Sequence, residues 1–239
     1  MDKLRIPRIA LPCVALPGHK PDAMLSAIRS SLVCWYSPKR QGCTNENMAQ
    51  TPVLRDLSGR GLHMICHNFA WTTESGIAED GSMIFDGVDD SCIIESAFVE
   101  QSFKDNFTII SDLHALARPT SWSHSAPISN GHPDGHGAFV FEQFRTTRAM
   151  CNWVYLADNE FSPIDEYLTS GRRTDCLTSE TFNGQPVIRG DQTSSSSYLQ
   201  FGTEFPNQRF WNGKIYSAIF FNRVLTPEEI EWVKLNMID

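Results

Sequence analysis

From Leu32 onward, apolar residues come in short runs broken by turn formers. The runs Leu32–Tyr36, Leu62–His67, Ser82–Phe85, Ser91–Ser96, Phe107–Leu116, Gly137–Phe144, Ala149–Leu156, Pro186–Arg189, Tyr198–Phe201 and Lys214–Phe221 are rich in Ile, Val, Phe, Tyr and Trp. Such residues suit a pleated, half-buried surface. Between the runs stand Ser58-Gly59, Asp86-Gly87, Pro133-Asp134-Gly135 and Asn183-Gly184, which carry turn chemistry. Many short strands with turn signals between them predict a sandwich or barrel. In the last run, Ile215, Ser217, Ile219 and Phe221 share one face, and Tyr216, Ala218 and Phe220 share the other. A strand apolar on both faces is expected at a central position, covered on both sides.

One helix is expected at the C-terminus. Thr226 is its N-cap, Pro227 occupies the first helical position, and Glu229 completes a capping box. Leu225 can staple onto Ile230, and Ile230, Val233 and Met237 form one apolar stripe. The opposite end differs. Pro7, Pro12, Pro17 and Pro21 punctuate the first residues, and proline fixes φ and lacks an N–H. Residues 1–31 therefore read as an extended arm with a short helix over Ala23–Arg29 capped by Asp22. Residues 32–239 form the sandwich domain.

Composition supports a filled interior. Of the 239 residues, 41% are hydrophobic and 11% aromatic, with Phe (15) outnumbering Tyr (5), which argues against a disordered chain. The net charge of -8, with no basic cluster larger than a pair such as Lys39-Arg40 or Arg172-Arg173, argues against nucleic acid as a partner, because phosphate contact drives that binding. It equally disfavours an anionic membrane surface. The seven cysteines are widely spaced with no CxxC pair, so a structural zinc site is not expected. They read as free thiols of a reducing compartment. The opening residues lack the apolar core of a secretory signal, which predicts a cytoplasmic or virion-associated protein.

Three stretches carry a family resemblance. Asp56-Leu57-Ser58-Gly59-Arg60-Gly61 forms an early DxSGxG turn, Phe85-Asp86-Gly87-Val88-Asp89-Asp90 an FDGxDD turn, and Asn222-Arg223-Val224-Leu225-Thr226-Pro227-Glu228-Glu229-Ile230 follows the closing strand. In this order they resemble the concanavalin A-like lectin/glucanase superfamily, and within it the laminin-G/pentraxin-like branch. The resemblance implies an all-β fold, an antiparallel two-sheet jelly-roll sandwich with one C-terminal α-helix. It also implies that calcium, common among relatives, could be held by Asp86, Asp89 and Asp90; the Asp-Gly turn alone accounts for the same residues. The segments Trp35–Asn47 and Asn68–Trp71 are similar to domains of tail-associated proteins of gut-bacterial phages.

Some members of that superfamily are glycoside hydrolases, with carboxylates at alternate strand positions so that two of them flank the sugar bond at about 5–9.5 Å. No such array is present here. Asp158-Asn159-Glu160 is the nearest feature and reads as a surface loop. The chain is therefore expected to be a non-catalytic, lectin-like module binding a glycan or surface ligand. A decoration or tail-associated protein of a phage-like assembly, docked on other subunits through the N-terminal arm, is the alternative, and a glycosidase the lesser one. The candidate ligand contacts are Trp122, His124, Asn130, His132, Asp134 and His136. Sugars have apolar ring faces and polar rims, which aromatic, amide, imidazole and carboxylate groups match. A Pro-Asp-Gly hairpin with incidental histidines explains the same segment without a ligand, and a metal site is a third reading.

Overall fold

The strand Asn212–Phe221 organises the molecule in the computed structural model, which describes residues 21–117, 125–132, 137–143, 146–151, 154–155, 161–163, 171–186, 195–206 and 208–239, with backbone alone for 21–23 and 141–163. From Gly213 to Phe221 this strand pairs antiparallel with Thr108–Ala115, with a β-bulge between Ile215 and Ser217. Its other edge is shared: residues 212–215 pair with Met83–Asp86, and residues 218–221 pair with Leu32–Tyr36. Arg173–Thr178, Thr181–Phe182, Gln185–Pro186 and Gly76–Ile77 complete an eight-stranded sheet. A second sheet of nine strands runs through Val154–Tyr155, Thr146–Cys151, Phe139–Gln143, Ile128–Ser129, Tyr198–Phe201, Ser91–Glu95, Met64–His67 and Val53–Leu54, with Phe161–Pro163 paired at Thr146–Cys151. All pairings are antiparallel. The chain is thus the two-sheet sandwich that its pattern of runs predicts.

Between the sheets lies a phenylalanine-rich core. Phe139 packs at 5.3 Å from Phe103 and 5.2 Å from Phe107, and Tyr36 meets Phe201 edge-on at 5.3 Å. Burying each such ring is worth about 1.5–3 kcal/mol. The central strand is apolar on both faces as expected, but the face assignment of Ile215 is corrected: the β-bulge between Ile215 and Ser217 breaks the simple alternation and moves Ile215 to the side of Ala218 and Phe220. Ile215, Ala218 and Phe220 face this core, while Ile219 and Phe221 face a second cluster with Ile28, Trp35, Ile110, Trp232, Val233 and Met237. That cluster is roofed by two helices, Pro21–Ser31 and Pro227–Met237.

The C-terminal helix starts as expected. Thr226 and Glu229 form the capping box, and Glu229 also holds Arg223 through two short contacts of 2.7 and 2.6 Å. That ion pair keeps the Glu229 carboxyl below its usual range. The N-terminal helix is longer than expected, Pro21–Ser31 against Ala23–Arg29, so Asp22 lies within it and does not cap it; Met24 and Ile28 bury it against the sheet. Two short helices, Asn45–Gln50 and Ala97–Ser102, add to the two expected; Thr44 and Ser96 cap them. The run Ala149–Leu156 divides into Thr146–Cys151 and Val154–Tyr155, antiparallel to each other.

The recurring turns are built by carboxylates. Asp56 accepts from the backbone N–H groups of Trp35, Ser58 and Leu62 and from the Ser58 hydroxyl. It thereby ties the first strand to the DxSGxG loop. Gly87 has a left-handed φ of 78°, and a Cβ there would sit 2.8 Å from the Asn212 side chain, so the FDG turn requires glycine.

Candidate functional site

The outward side of the nine-stranded sheet carries no helix layer among the described residues, and its side chains follow from strand alternation. On Met64–His67, Met64 and Cys66 turn inward while Ile65 and His67 are exposed. On Ser91–Glu95, Cys92 faces the core, so Ile93 and Glu95 face outward. On Tyr198–Phe201, Leu199 and Phe201 are core; Tyr198 and Gln200 point to the other side, where Tyr198 is half-buried and Gln200 fully buried. Register aligns these positions: Ile65 opposes Ile93, Ile93 opposes Gln200, and Gln200 opposes Ser129. An exposed apolar strip of Ile65 (53% exposed) and Ile93 thus ends at Gln200 and Ser129, which are fully buried under the segments of Gly131 and Glu204.

Tyr198 sits beside Glu95 in this face, its direct cross-strand partner. Burial, then the Glu95 carboxylate, raise its phenol above the ordinary value. The His132 ring lies 5.6 Å from the Tyr198 ring at 50°. A phenol, a carboxylate and an imidazole therefore meet at one corner. Such a set stacks on an apolar ring face and exchanges hydrogen bonds with hydroxyls.

Of the expected ligand contacts, His132 belongs to this corner. Asn130, next to it, is fully buried and has another task. Its amide donates to the Ser196 and Tyr198 carbonyls, and its oxygen accepts from the Ala138 and Ser196 N–H groups and the Ser195 hydroxyl. It clamps three segments and is not presented to a ligand. Trp122, His124, Asp134 and His136 lie outside the described residues, as do Asp158-Asn159-Glu160. Glu95, Tyr198, Ile65 and Ile93 were not singled out from the sequence. The signal was there: Tyr198 and Gln200 alternate with Leu199 and Phe201.

Beneath the corner, a buried polar network supports the face. Ser129 Oγ donates to the Glu204 carbonyl at 2.5 Å and accepts from Gly131 N–H at 2.7 Å. Gln200 Nε2 donates to the Gly131 carbonyl at 2.7 Å. Glu204 is held by Arg209, with both carboxylate oxygens 2.7 Å from Nη1. A second polar cluster lies on the opposite sheet: the Arg172 guanidinium covers the Tyr216 ring at 4.0 Å and binds Asp112 at 2.6 Å. Its charges pair with one another.

Among the described residues, Asp86, Asp89 and Asp90 offer oxygens within 4.8 Å of one another. Oxygen donors are right in kind for calcium, which needs six to eight. Asp90, however, is buried and spends both oxygens, one on Asp86 N–H and one on the Ser75 hydroxyl. One Asp86 oxygen accepts from the Val88 and Asp89 N–H groups. The residues do not fit a calcium cage; they build the turn.

The fold is an antiparallel two-sheet β-sandwich with a C-terminal helix. Neither a family model nor a curated protein matches the chain. Solved structures do share its fold. A Trypanosoma rangeli sialidase in complex with sialic acid superposes with a TM-score of 0.60 at 16% identity, over 85% of this chain and 32% of that one. The same enzyme as a covalent intermediate with 2,3-difluorosialic acid gives 0.57 at 15% identity, over 85% and 33%. A structure describing the dependence of botulinum neurotoxin type C cell entry on two ganglioside molecules gives 0.57 at 14% identity, over 87% and 52%. The chain spans about a third of the sialidase chains and about half of the toxin chain. These likenesses establish the fold. They also overturn the expectation of a non-catalytic recognition module, because the same sandwich recurs within enzymes that act on glycans. The missing carboxylate array excludes only one catalytic layout.

Proposed function

We propose that this sandwich engages a carbohydrate, as ligand or as substrate, on the open face of its nine-stranded sheet. The observation that carries the reading is the corner of Glu95, Tyr198 and His132 beside the strip of Ile65 and Ile93. Tyr198 offers a ring face, Glu95 accepts hydroxyl hydrogen bonds, and His132 both donates and accepts. The sialic acid and gangliosides named with the structural neighbours support glycans as the ligand class. The order of the three sequence motifs supports the laminin-G/pentraxin-like branch. A shallow face of this kind binds weakly, on the order of 1 mM or about -4 kcal/mol, so repeated copies give useful retention.

A second reading, hydrolysis at the same corner, is favoured by the contact between the Tyr198 phenol and the Glu95 carboxylate, since a tyrosine serves as nucleophile in some glycosidases. One experiment separates the two. A multimerised protein is applied to an array of sialylated and neutral glycans, and the monomer is assayed on matched glycosides. Binding that falls at least tenfold in Tyr198→Ala and Glu95→Gln, without turnover, supports a ligand. Turnover lost in the same variants supports a substrate. Silence in both assays removes the carbohydrate reading.

A further inference from the structure

We infer that Cys66 and Cys92 form a cross-strand disulfide site beneath the open face, closed when the chain folds in the presence of a low-molecular-weight disulfide. The two residues are directly opposite on the adjacent strands Met64–His67 and Ser91–Glu95. The Cys66 N–H donates to the Pro52 carbonyl at 2.8 Å, away from Ser91–Glu95. Cys66 and Cys92 are therefore a non-hydrogen-bonded pair, the position where antiparallel Cα atoms approach to about 4.5 Å. That spacing lies within the roughly 4.4–6.8 Å that a disulfide tolerates. Both side chains turn inward, and their sulfurs are 3.2 Å apart. The bond can close with small rotations of two side chains and no change of register.

Among the described thiols, Cys66 and Cys92 alone face each other across paired strands. Cys34 and Cys176 lie in separate strands of the other sheet, and Cys43 stands at the margin of the core. The exchange balances simply. Two S–H bonds break and one S–S bond forms, while the S–S bond of a donor such as glutathione disulfide takes up the two electrons and two protons and leaves as two thiols. Timing follows from burial. Cys92 is fully enclosed and its thiol is pushed well above the ordinary value, first by burial, so it exchanges slowly once folded. The bond would close a loop between residues 26 apart and lock together the strands that carry Ile65, His67, Ile93 and Glu95. This inference does not depend on the carbohydrate reading.

The test is to refold the full chain, denatured and reduced, in a glutathione/glutathione disulfide buffer and in parallel with reductant. Remaining thiols are then alkylated and the peptides mapped by mass. The expected result is a peptide pair linked through Cys66 and Cys92, with a Tm several degrees above that of the reduced protein. Cys66→Ala and Cys92→Ala should each abolish the redox-dependent Tm difference, whatever their own stability. Alkylation of both residues in the disulfide buffer, linkages scattered among the seven cysteines, or recovery only with reductant would each overturn it.

Discussion

The two sheets share one core, yet their outer faces have opposite fates. The eight-stranded sheet turns Trp35, Ile110, Ile219 and Phe221 outward, and two helices cover them. The nine-stranded sheet turns out Ile65, His67, Ile93, Glu95 and Tyr198, and they stay half-buried or exposed. One face is held by apolar burial, the other by hydrogen bonds from loop residues such as Asn130. A side chain on the covered face therefore answers mainly to stability, whereas one on the open face is free to answer to a ligand.

The largest break in that contrast is Trp232→Ala. Trp232 is 2% exposed between helix and sheet, so its loss should cost about 3–5 kcal/mol, read as a lowered denaturant midpoint. A cost under about 1 kcal/mol would mean the helical roof is dispensable. Asn130→Ala should cost about 1–3 kcal/mol, because it strands the N–H groups of Ala138 and Ser196. It should also weaken glycan engagement by releasing the Tyr198 segment. Unchanged binding in a destabilised variant would detach the clamp from the face.

A pH measurement probes the edge of the open sheet. Burial foremost, with Asp86 and Asp89 adding to it, pushes the Asp90 carboxyl up to about 6 against the ordinary 3.8; the hydrogen bonds from Asp86 N–H and Ser75 oppose. A raised folded pKa means that the protonated form is favoured by folding. Its contribution is complete below about pH 4 and is lost as pH rises through 6. Denaturation of wild type and Asp90→Asn across this window should show a loss of stability in the wild type that the variant lacks. Equal slopes would contradict the assignment. The smallest effect is expected at Ile65→Ser, within about 0.5 kcal/mol in stability despite the loss of a large apolar group. A larger cost would show that the open face is covered.

Much of the scaffold was legible. Leu32–Tyr36 and Tyr198–Phe201 appear with the expected bounds, and the Thr226/Glu229 box starts its helix. Arg173–Thr178 was missed although it pairs along six residues of Thr108–Ala115. It carries Arg173, Thr174 and Asp175, and nothing local says that Asp175 is buried. There it receives Asn183 at 2.8 Å, a partner supplied only by folding. The candidate site was legible in part. The Asn130–His136 segment drew attention through its polar side chains, yet the structure spends Asn130 internally and brings His132 to Tyr198, which lies far along the chain.

By itself the sequence determined where strands begin and turn, and that a helix follows the last of them, because propensity, alternation and caps act between neighbours in the chain. Only the tertiary structure decided which sheet would be roofed and which left open. It alone set Glu95 beside Tyr198 and Cys66 against Cys92. Those choices depend on register between distant strands, and a period of two is the same on either side of a sheet until something packs there.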